Sequence, residues 1–289
     1  MNLRILAPAK INLGLEIGNK NPDGYHEVTM VMQSISLYDE IELSHSANPG
    51  INLTTDVDLN CEPQNNIAYR ATTEFFHYAN IKNEGINIKI KKNIPSCAGL
   101  AGGSTDGAGV IVGLNKMFAA HLNYEQMCEI GAKVGSDLPF CIMGGTAHAF
   151  GIGTQLNFLN PMPKCHIVAI KPDIAISTAK AYSDFDSIKT KKTHDLNPLI
   201  SACQTQNLTE ICKNLFNRFE QVINEPEIFK IKQELIRYGA INSLMTGSGS
   251  AVYGIFDDAL KAQNCVVHLR KKYPNTFLAE PVNHGAKIT

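Results

Sequence analysis

Residues 95–109 read P-S-C-A-G-L-A-G-G-S-T-D-G-A-G, a glycine-rich stretch set between two segments of different periodicity. Before it, Ile86, Ile88 and Ile90 alternate with Asn87, Lys89 and Lys91, the period of two expected for a strand with one buried face. After it, Val110, Leu114, Met117 and Phe118 recur at helical spacing. The order is strand, glycine-rich turn, helix. Gly99, Gly102 and Gly103 allow tight turning and bring several N–H groups toward one point, and Ser104, Thr105 and Asp106 are expected to supply capping oxygens where the helix begins. Converging N–H groups at the positive end of a helix dipole suit a phosphate without any side-chain cation. A plain connector with no ligand is the alternative for this segment by itself. The stretch matches neither common nucleotide fingerprint: G-x-x-x-x-G-K-[ST] needs a Lys that is absent, and Gly99-Leu100-Ala101 breaks G-x-G-x-x-G. Gly107, Gly109 and Gly113 lie inside the helix at about 1 kcal/mol each relative to Ala, which close packing or an approaching ligand would explain.

Working outward, Ile11, Leu13, Leu15 and Ile17 alternate along a strand, which places Lys10, Asn12, Gly14 and Glu16 on its other face. Lys10 and Asn12 therefore point the same way. The segment N-P-D-G-Y-H-E (21–27) puts Pro22, Asp23 and Gly24 in succession, a turn that delivers Tyr25 and His26 at its exit. Met127, Ile130 and Val134 mark a helix that breaks at Gly135 into a loop, S-D-L-P-F, carrying Asp137. After about residue 160 the pattern restarts with a strand at His166–Ile170. Ile228, Ile231 and Leu235 mark a helix ending near Gly239, followed by T-G-S-G-S (246–250) and the strand-like A-V-Y-G-I-F. The residues from about Asn283 onward are polar and are expected to be mobile.

At 289 residues and 44% hydrophobic composition the chain is long enough for two packed units. Lys plus Arg (26) nearly balances Asp plus Glu (27), so there is no diffuse positive field for nucleic acid or an anionic membrane, and phosphate recognition has to be local. Pro8 and Lys10 interrupt the opening segment before a signal-peptide core forms, and no later stretch reaches the roughly 18 apolar residues of a bilayer span. A cytoplasmic location is expected. The eight cysteines show no C-x-x-C pair or zinc spacing and read as reduced thiols, mostly small core residues. The nine histidines form no H-E-x-x-H, and no protein-held metal centre is expected.

Phosphoryl transfer to an alcohol needs a group to accept or orient the hydroxyl proton and cations to offset the charge on the transferring phosphate. Asp137 and Lys10 are suitable in type, although a loop Asp is often a cap and a strand Lys is often only solvated.

Three segments in this order, P-A-K-I-N-L (8–13), the glycine-rich stretch and T-G-S-G-S-A-V-Y-G from Thr246, resemble the kinase superfamily of galactokinase, homoserine kinase, mevalonate kinase and phosphomevalonate kinase. The likeness runs from about residue 5 to about residue 257. With D-G-Y-H-E (23–27) and G-S-D-L-P-F (135–140) it narrows to the branch that phosphorylates the 2-hydroxyl of 4-(cytidine 5'-diphospho)-2-C-methyl-D-erythritol. A homoserine or mevalonate type of kinase, or a nucleotide-binding protein without turnover, is the alternative. The resemblance implies a two-domain α+β fold, residues 1–160 and 161–289, with the active site in the cleft between them. It implies ATP and Mg²⁺ as cofactors, with Ser104 as a candidate metal ligand, and a monomer or homodimer.

Residue by residue, the resemblance implies Asp137 as base or orienting group and Lys10 as its neutralising partner. Pro95, Ser96, Cys97, Ala98, Gly99, Leu100, Ala101, Gly102, Gly103, Ser104 and Thr105 correspond to the ATP phosphate loop, with Asn66 and Lys92 near the adenosine. Tyr25 and His26 correspond to the cytosine contacts, with Tyr182, or else Phe185, as a second aromatic wall. Asn12 is expected near the transferred group, and Thr246, Gly247 and Ser248 along the cleft. Three departures stand out: Cys97 where the family commonly has glycine, Thr105 where it has Ser and Gly107 where Ala is commoner. Cys97 reads either as packing or as an oxidation-sensitive thiol.

Overall fold

Leu3, Ile5, Ala7, Ala9, Ile11 and Leu13 alternate without a charged break, and the computed structural model gathers them into one long strand, β1 (Asn2–Lys20), paired antiparallel with β2 (His26–His45). The structure describes residues 2–22, 24–59, 61–83, 85–188 and 193–289; Asp23 of the connecting turn lies outside them. Then follow β3 (Ile51–Thr55), α1 (Ile67–Tyr78), β4 (Ile86–Lys91), α2 (Gly102–Met117), α3 (Tyr124–Val134), α4 (Leu138–Met143), β5 (Thr146–Phe150) and β6 (Gln155–Phe158). The later part holds β7 (His166–Ile170), α5 (Thr178–Asp186), α6 (Asn197–Gln204), α7 (Leu208–Lys213), β8 (Phe216–Asn217), α8 (Pro226–Arg237), β9 (Asn242–Met245), β10 (Val252–Phe256), α9 (Ala259–Leu269), β11 (Thr276–Ala279) and β12 (Lys287–Ile288). The expected strands at 86–90, 166–170 and 251–256 are present, the last starting at Val252, as are the helices before Gly135 and before Gly239, and the helix expected to begin at Ser104, Thr105 and Asp106 starts earlier, at Gly102.

Two sheets organise these elements. The first has the order β12-β1-β2-β4-β3, with β5 on β2, β6 on β5 and β8 parallel to β1; the second has the order β11-β7-β10-β9. The change from one to the other falls between β6 and β7, but Phe216–Asn217 and Lys287–Ile288 return to the first sheet. One core lies between the first sheet and α1, α2 and α3; two more join β1 and β2 to the second sheet and its helices.

Three expectations are corrected. The C-terminal tail is ordered: Ala286 N–H donates to the Cys141 carbonyl at 2.9 Å, Gly285 N–H to Met143 at 3.0 Å, and Ile288 pairs with Ile5. Its backbone donors are satisfied by the edge of β1 and the end of α4, which polar composition could not signal. The simple alternation along β1 fails at Leu13, where the partners jump from Asn12↔Met32 to Gly14↔Val31. This bulge turns the strand over, so Leu15 lines the same cavity as Lys10 instead of opposing it. The loop after Gly135 is shorter than expected, because Leu138, Pro139 and Phe140 already belong to α4, where proline is tolerated in the first turn.

The glycines inside α2 are explained by packing. A Cβ on Gly109 would come within 2.4 Å of Ile41 Cδ1, and one on Gly113 within 2.5 Å of Leu43 Cδ1, so α2 lies closer to the sheet than a helix with side chains there could. Gly109→Val is expected to destabilise the fold by about 1–3 kcal/mol through overpacking, despite removing a helix-interior glycine. The urea midpoint at unchanged slope is the check.

Candidate active site

The glycine-rich segment leaves β4 and enters α2 at Gly102, with Ala101 (φ 59°) and Cys97 (φ 52°) in the left-handed region. That conformation is uncomfortable for a residue with a Cβ, and glycine would adopt it without that cost. The capping oxygens expected from Ser104, Thr105 and Asp106 are not used: Ala101 precedes the helix with no side-chain cap. These residues fall one turn too late; Thr105 Oγ1 instead donates to the Pro8 carbonyl at 2.8 Å, and Asp106 pairs with Lys92. The first helical N–H groups therefore stay uncapped for an anion.

A second glycine loop holds this one in place. A Cβ on Gly99 (φ 75°) would lie 2.1 Å from the Thr246 carbonyl oxygen, so only glycine fits. Ala251 N–H donates to the Ala98 carbonyl at 3.1 Å, and Thr246 Oγ1 lies 3.2 Å from the Gly99 carbonyl while accepting the Asn12 N–H at 3.0 Å. Lys10 N–H donates to the Leu100 carbonyl at 3.1 Å. Strand β1 and the two loops thus meet at one point.

A cavity of about 1090 Å³ opens there. At its centre Lys10, only 4% exposed, places Nζ 2.7 Å from Asn12 Oδ1 and 3.8 Å from Asp137 Oδ2. Asp137 precedes α4 without making a side-chain cap, so its carboxylate is presented to the cavity. At one end the wall holds Pro95, Ser96, Cys97, Ala98, Gly99, Ala101, Gly102, Gly103, Ser104, Asn66 and Lys92. Leu100 and Thr105 are buried behind this wall. Cys97 is exposed on it, which removes packing as its role. Asn66 caps α1 by accepting the Ala68 N–H at 2.8 Å. Lys92 Nζ is held between Asp39 and Asp106, 2.6 Å from Asp106 Oδ2, while Asp39 Oδ1 also accepts the Asn93 and Ile94 N–H groups. Burial pushes the Asp106 carboxyl well above the usual carboxylate range.

At the other end the wall holds Lys20, Tyr25, His26, Tyr182 and Asp186. His26 stacks on Tyr182 with centroids 4.8 Å apart and 19° between planes, and meets Phe185 edge-on at 6.1 Å. Phe185 is 1% exposed beneath them, so Tyr182 is the aromatic that reaches the cavity. Burial pushes the Tyr182 hydroxyl up to about 12. Tyr25 is 65% exposed at the rim. Gly247 and Ser248 line the floor, while Asn12 and Thr246 are buried behind it and act through Lys10 and Gly99.

Sequence reasoning missed Asp186, Asp39, Asp106 as an ion-pair partner, and Leu15 and Phe219 on the wall. Asp39 and Asp186 lie 53 and 160 residues from Lys92 and His26 and share no motif with them, while Asp106, only 14 residues from Lys92, was read as a helix cap. Leu15 was hidden by the bulge.

Models of known families match the chain as the GHMP kinases N terminal domain over residues 66–145 and the GHMP kinases C terminal domain over residues 199–275. A 4-diphosphocytidyl-2-C-methyl-D-erythritol kinase of Clostridium tetani is 39% identical over 288 residues, covering 97% of this chain and 100% of that one. One of the same name from Caldicellulosiruptor saccharolyticus is 42% identical over 261 residues, covering 89% and 90%. Among solved structures, a crystal structure of 4-(cytidine 5'-diphospho)-2C-methyl-D-erythritol kinase superposes with a TM-score of 0.81 at 26% identity, covering 96% of this chain and 98% of that one. Homoserine kinase from Cytophaga hutchinsonii superposes with 0.77 at 15% identity over 100% and 97%, a likeness of fold alone.

Two outcomes follow from the loop geometry. Asp39→Ala leaves Lys92 with Asp106 alone and strips the Asn93 and Ile94 N–H groups of their acceptor, and is expected to destabilise the fold by about 1–3 kcal/mol, read by urea unfolding. Cys97→Gly removes a left-handed side chain and is expected to leave ATP affinity within about twofold while shifting stability by no more than about 1 kcal/mol, since relief of strain is offset by a freer unfolded chain; calorimetric ATP titration beside thermal unfolding measures both.

Proposed function

The chain belongs to the 4-diphosphocytidyl-2-C-methyl-D-erythritol kinases of the GHMP kinase superfamily, and on that premise we propose how its residues transfer phosphate from ATP to the 2-hydroxyl of 4-(cytidine 5'-diphospho)-2-C-methyl-D-erythritol, a step toward isoprenoid precursors by the non-mevalonate route. The observation that carries this reading is one cavity with an uncapped, glycine-lined helix start at one end, a histidine stacked on a tyrosine at the other and a Lys–Asp pair between them. A phosphate anchor and a base platform separated by a proton acceptor is the arrangement that phosphorylating a nucleotide-linked alcohol requires.

The triphosphate lies along residues 95–105 with its phosphates on the first N–H groups of α2, and the adenosine lies toward Asn66 and Lys92. The cytosine occupies the wall of Tyr25, His26 and Tyr182, which brings the alcohol to Asp137. Asp137 accepts or orients the hydroxyl proton as the oxygen attacks the γ-phosphorus. Lys10, desolvated and fixed by Asn12, offsets the negative charge that gathers there. Gly247 and Ser248 close the floor, with Thr246 buried behind them. The wall beside the loop offers the hydroxyl of Ser104, a hard oxygen donor of the kind that would hold Mg²⁺. When bound, Mg²⁺ supplies positive charge to the phosphate oxygens. Residues 1–160 form the nucleotide-binding half and 161–289 the second half in this reading. Among the described residues no helix is long and apolar enough to cross a membrane, and we place the reaction in the cytoplasm.

ADP release is measured with Mg-ATP and the cytidyl substrate, beside homoserine and mevalonate. Turnover with the cytidyl substrate alone is expected, and turnover with another alcohol instead would redirect the assignment. Asp137→Asn is expected to lower kcat by about 10²–10⁴-fold with little change in KM for ATP, because it removes the proton acceptor and leaves the phosphate cradle intact.

A further inference from the structure

We propose that Asp186 is a positioning residue that fixes the tautomer of His26 and thereby makes this site prefer a pyrimidine bearing an exocyclic amine over one bearing a carbonyl. The inference deepens the reading above, in which His26 faces the substrate base.

Three side chains of α5 converge on the His26 ring. Tyr182 covers one face and Phe185 closes an edge, both from α5, so the ring cannot swing freely. Asp186, at the end of the same helix, places Oδ1 2.7 Å from His26 Nε2. Its other oxygen accepts from Lys20 Nζ at 3.3 Å, and Lys20 is the residue that pairs with His26 across the hairpin. The hydrogen bond from His26, with Lys20 beside it, holds the Asp186 carboxyl below the usual range, so it stays ionised near neutral pH. An ionised carboxylate can only accept, so the nitrogen that faces it has to carry the proton. His26 Nε2 is then the N–H, and in the neutral ring Nδ1 is left with a lone pair.

That lone pair decides what the site reads. His26 lines the cavity with Nε2 committed to Asp186, so Nδ1 is the ring nitrogen left for a ligand. Cytosine carries an N–H₂ donor where uracil carries a carbonyl acceptor. The first gives Nδ1 a hydrogen bond; the second sets two lone pairs against each other. A site built around a hydrogen bond discriminates strongly because the mismatched partner leaves a polar group unpaired.

The test uses the ligand-free chain and free nucleotides. Nitrogen–proton correlation spectra of protein labelled on histidine, with His26 identified by its loss in His26→Gln, report the tautomer. Calorimetric titration with CDP and with UDP reports the preference. The wild type is expected to show the Nε2–H tautomer and to bind CDP more tightly. Asp186→Ala is expected to mix the tautomers and to reduce the CDP-over-UDP ratio by roughly tenfold, the worth of about one hydrogen bond, with ATP affinity unchanged as the sign of an intact fold. An Nδ1–H tautomer in the wild type, equal binding of CDP and UDP, or a ratio untouched by Asp186→Ala overturns the proposal. Turnover enters neither measurement, so a failure of the catalytic reading shows separately, as absence of ADP release with the cytidyl substrate.

Discussion

The hydroxyl of Thr246 is the joint on which the site depends. It accepts the N–H of Asn12 from β1 and lies against the carbonyl of Gly99, so three segments widely separated in sequence are fixed by one oxygen. Tyr253 adds a hydrogen bond from its hydroxyl to the Asn12 carbonyl at 2.8 Å, and Asn217 donates to the carbonyls of Met245 and Gly247. Each of these groups is buried, and a buried polar group that loses its partner is costly. The phosphate loop, the strand that carries Lys10 and the floor therefore cannot drift independently. The cavity shared by two sheets is thus cross-linked by buried hydrogen bonds.

Charge buried around this joint is matched in each case by geometry. Glu16 receives Arg218 through Nε at 2.8 Å and Nη2, and also accepts the His194 N–H at 2.6 Å, so a buried pair is surrounded by further donors. That is the condition under which burying opposite charges is tolerated. Lys92 lies between two carboxylates, and burial, with the charge of Asp39 beside it, holds the Asp106 carboxyl well above the usual carboxylate range. Lys10 is treated differently: its nearest partner is the neutral oxygen of Asn12, and Asp137 stands 3.8 Å away. A cation held mostly by a neutral group keeps its field available for a phosphate.

The wall that carries His26 obeys the same logic at the other end. Hairpin and helix bring a base, an acid and an aromatic face together, none of which is a neighbour of the others along the chain except within α5. The long hairpin sets the distance between this wall and the phosphate cradle, because β1 carries Lys10 midway and Lys20 at its end. The spacing between binding and chemistry is thus a property of strand length.

By itself, the sequence determined the elements and the chemistry carried by contiguous motifs. Isoleucines at period two before Gly99 and apolar residues at helical spacing after it specify strand, turn and helix, because burial of one face is a local pattern. Lys10 and Asn12 share a face because they are two apart on a strand. Asp137, Tyr25 and His26 were singled out through the resemblance their motifs carry, and the fold places all three on the cavity. Tertiary structure alone decided what depends on contacts between distant segments. The bulge at Leu13 turned the strand over, and a register shift leaves no mark in an apolar run. The polar tail became a strand because the edge of β1 offered it hydrogen bonds. Capping passed from Ser104, Thr105 and Asp106 to no side chain at all, since Pro8 and Lys92 claimed two of them from across the fold. Asp186 found His26 only after folding, because a carboxylate and an imidazole 160 residues apart have no reason to meet until a hairpin and a helix are packed against one another.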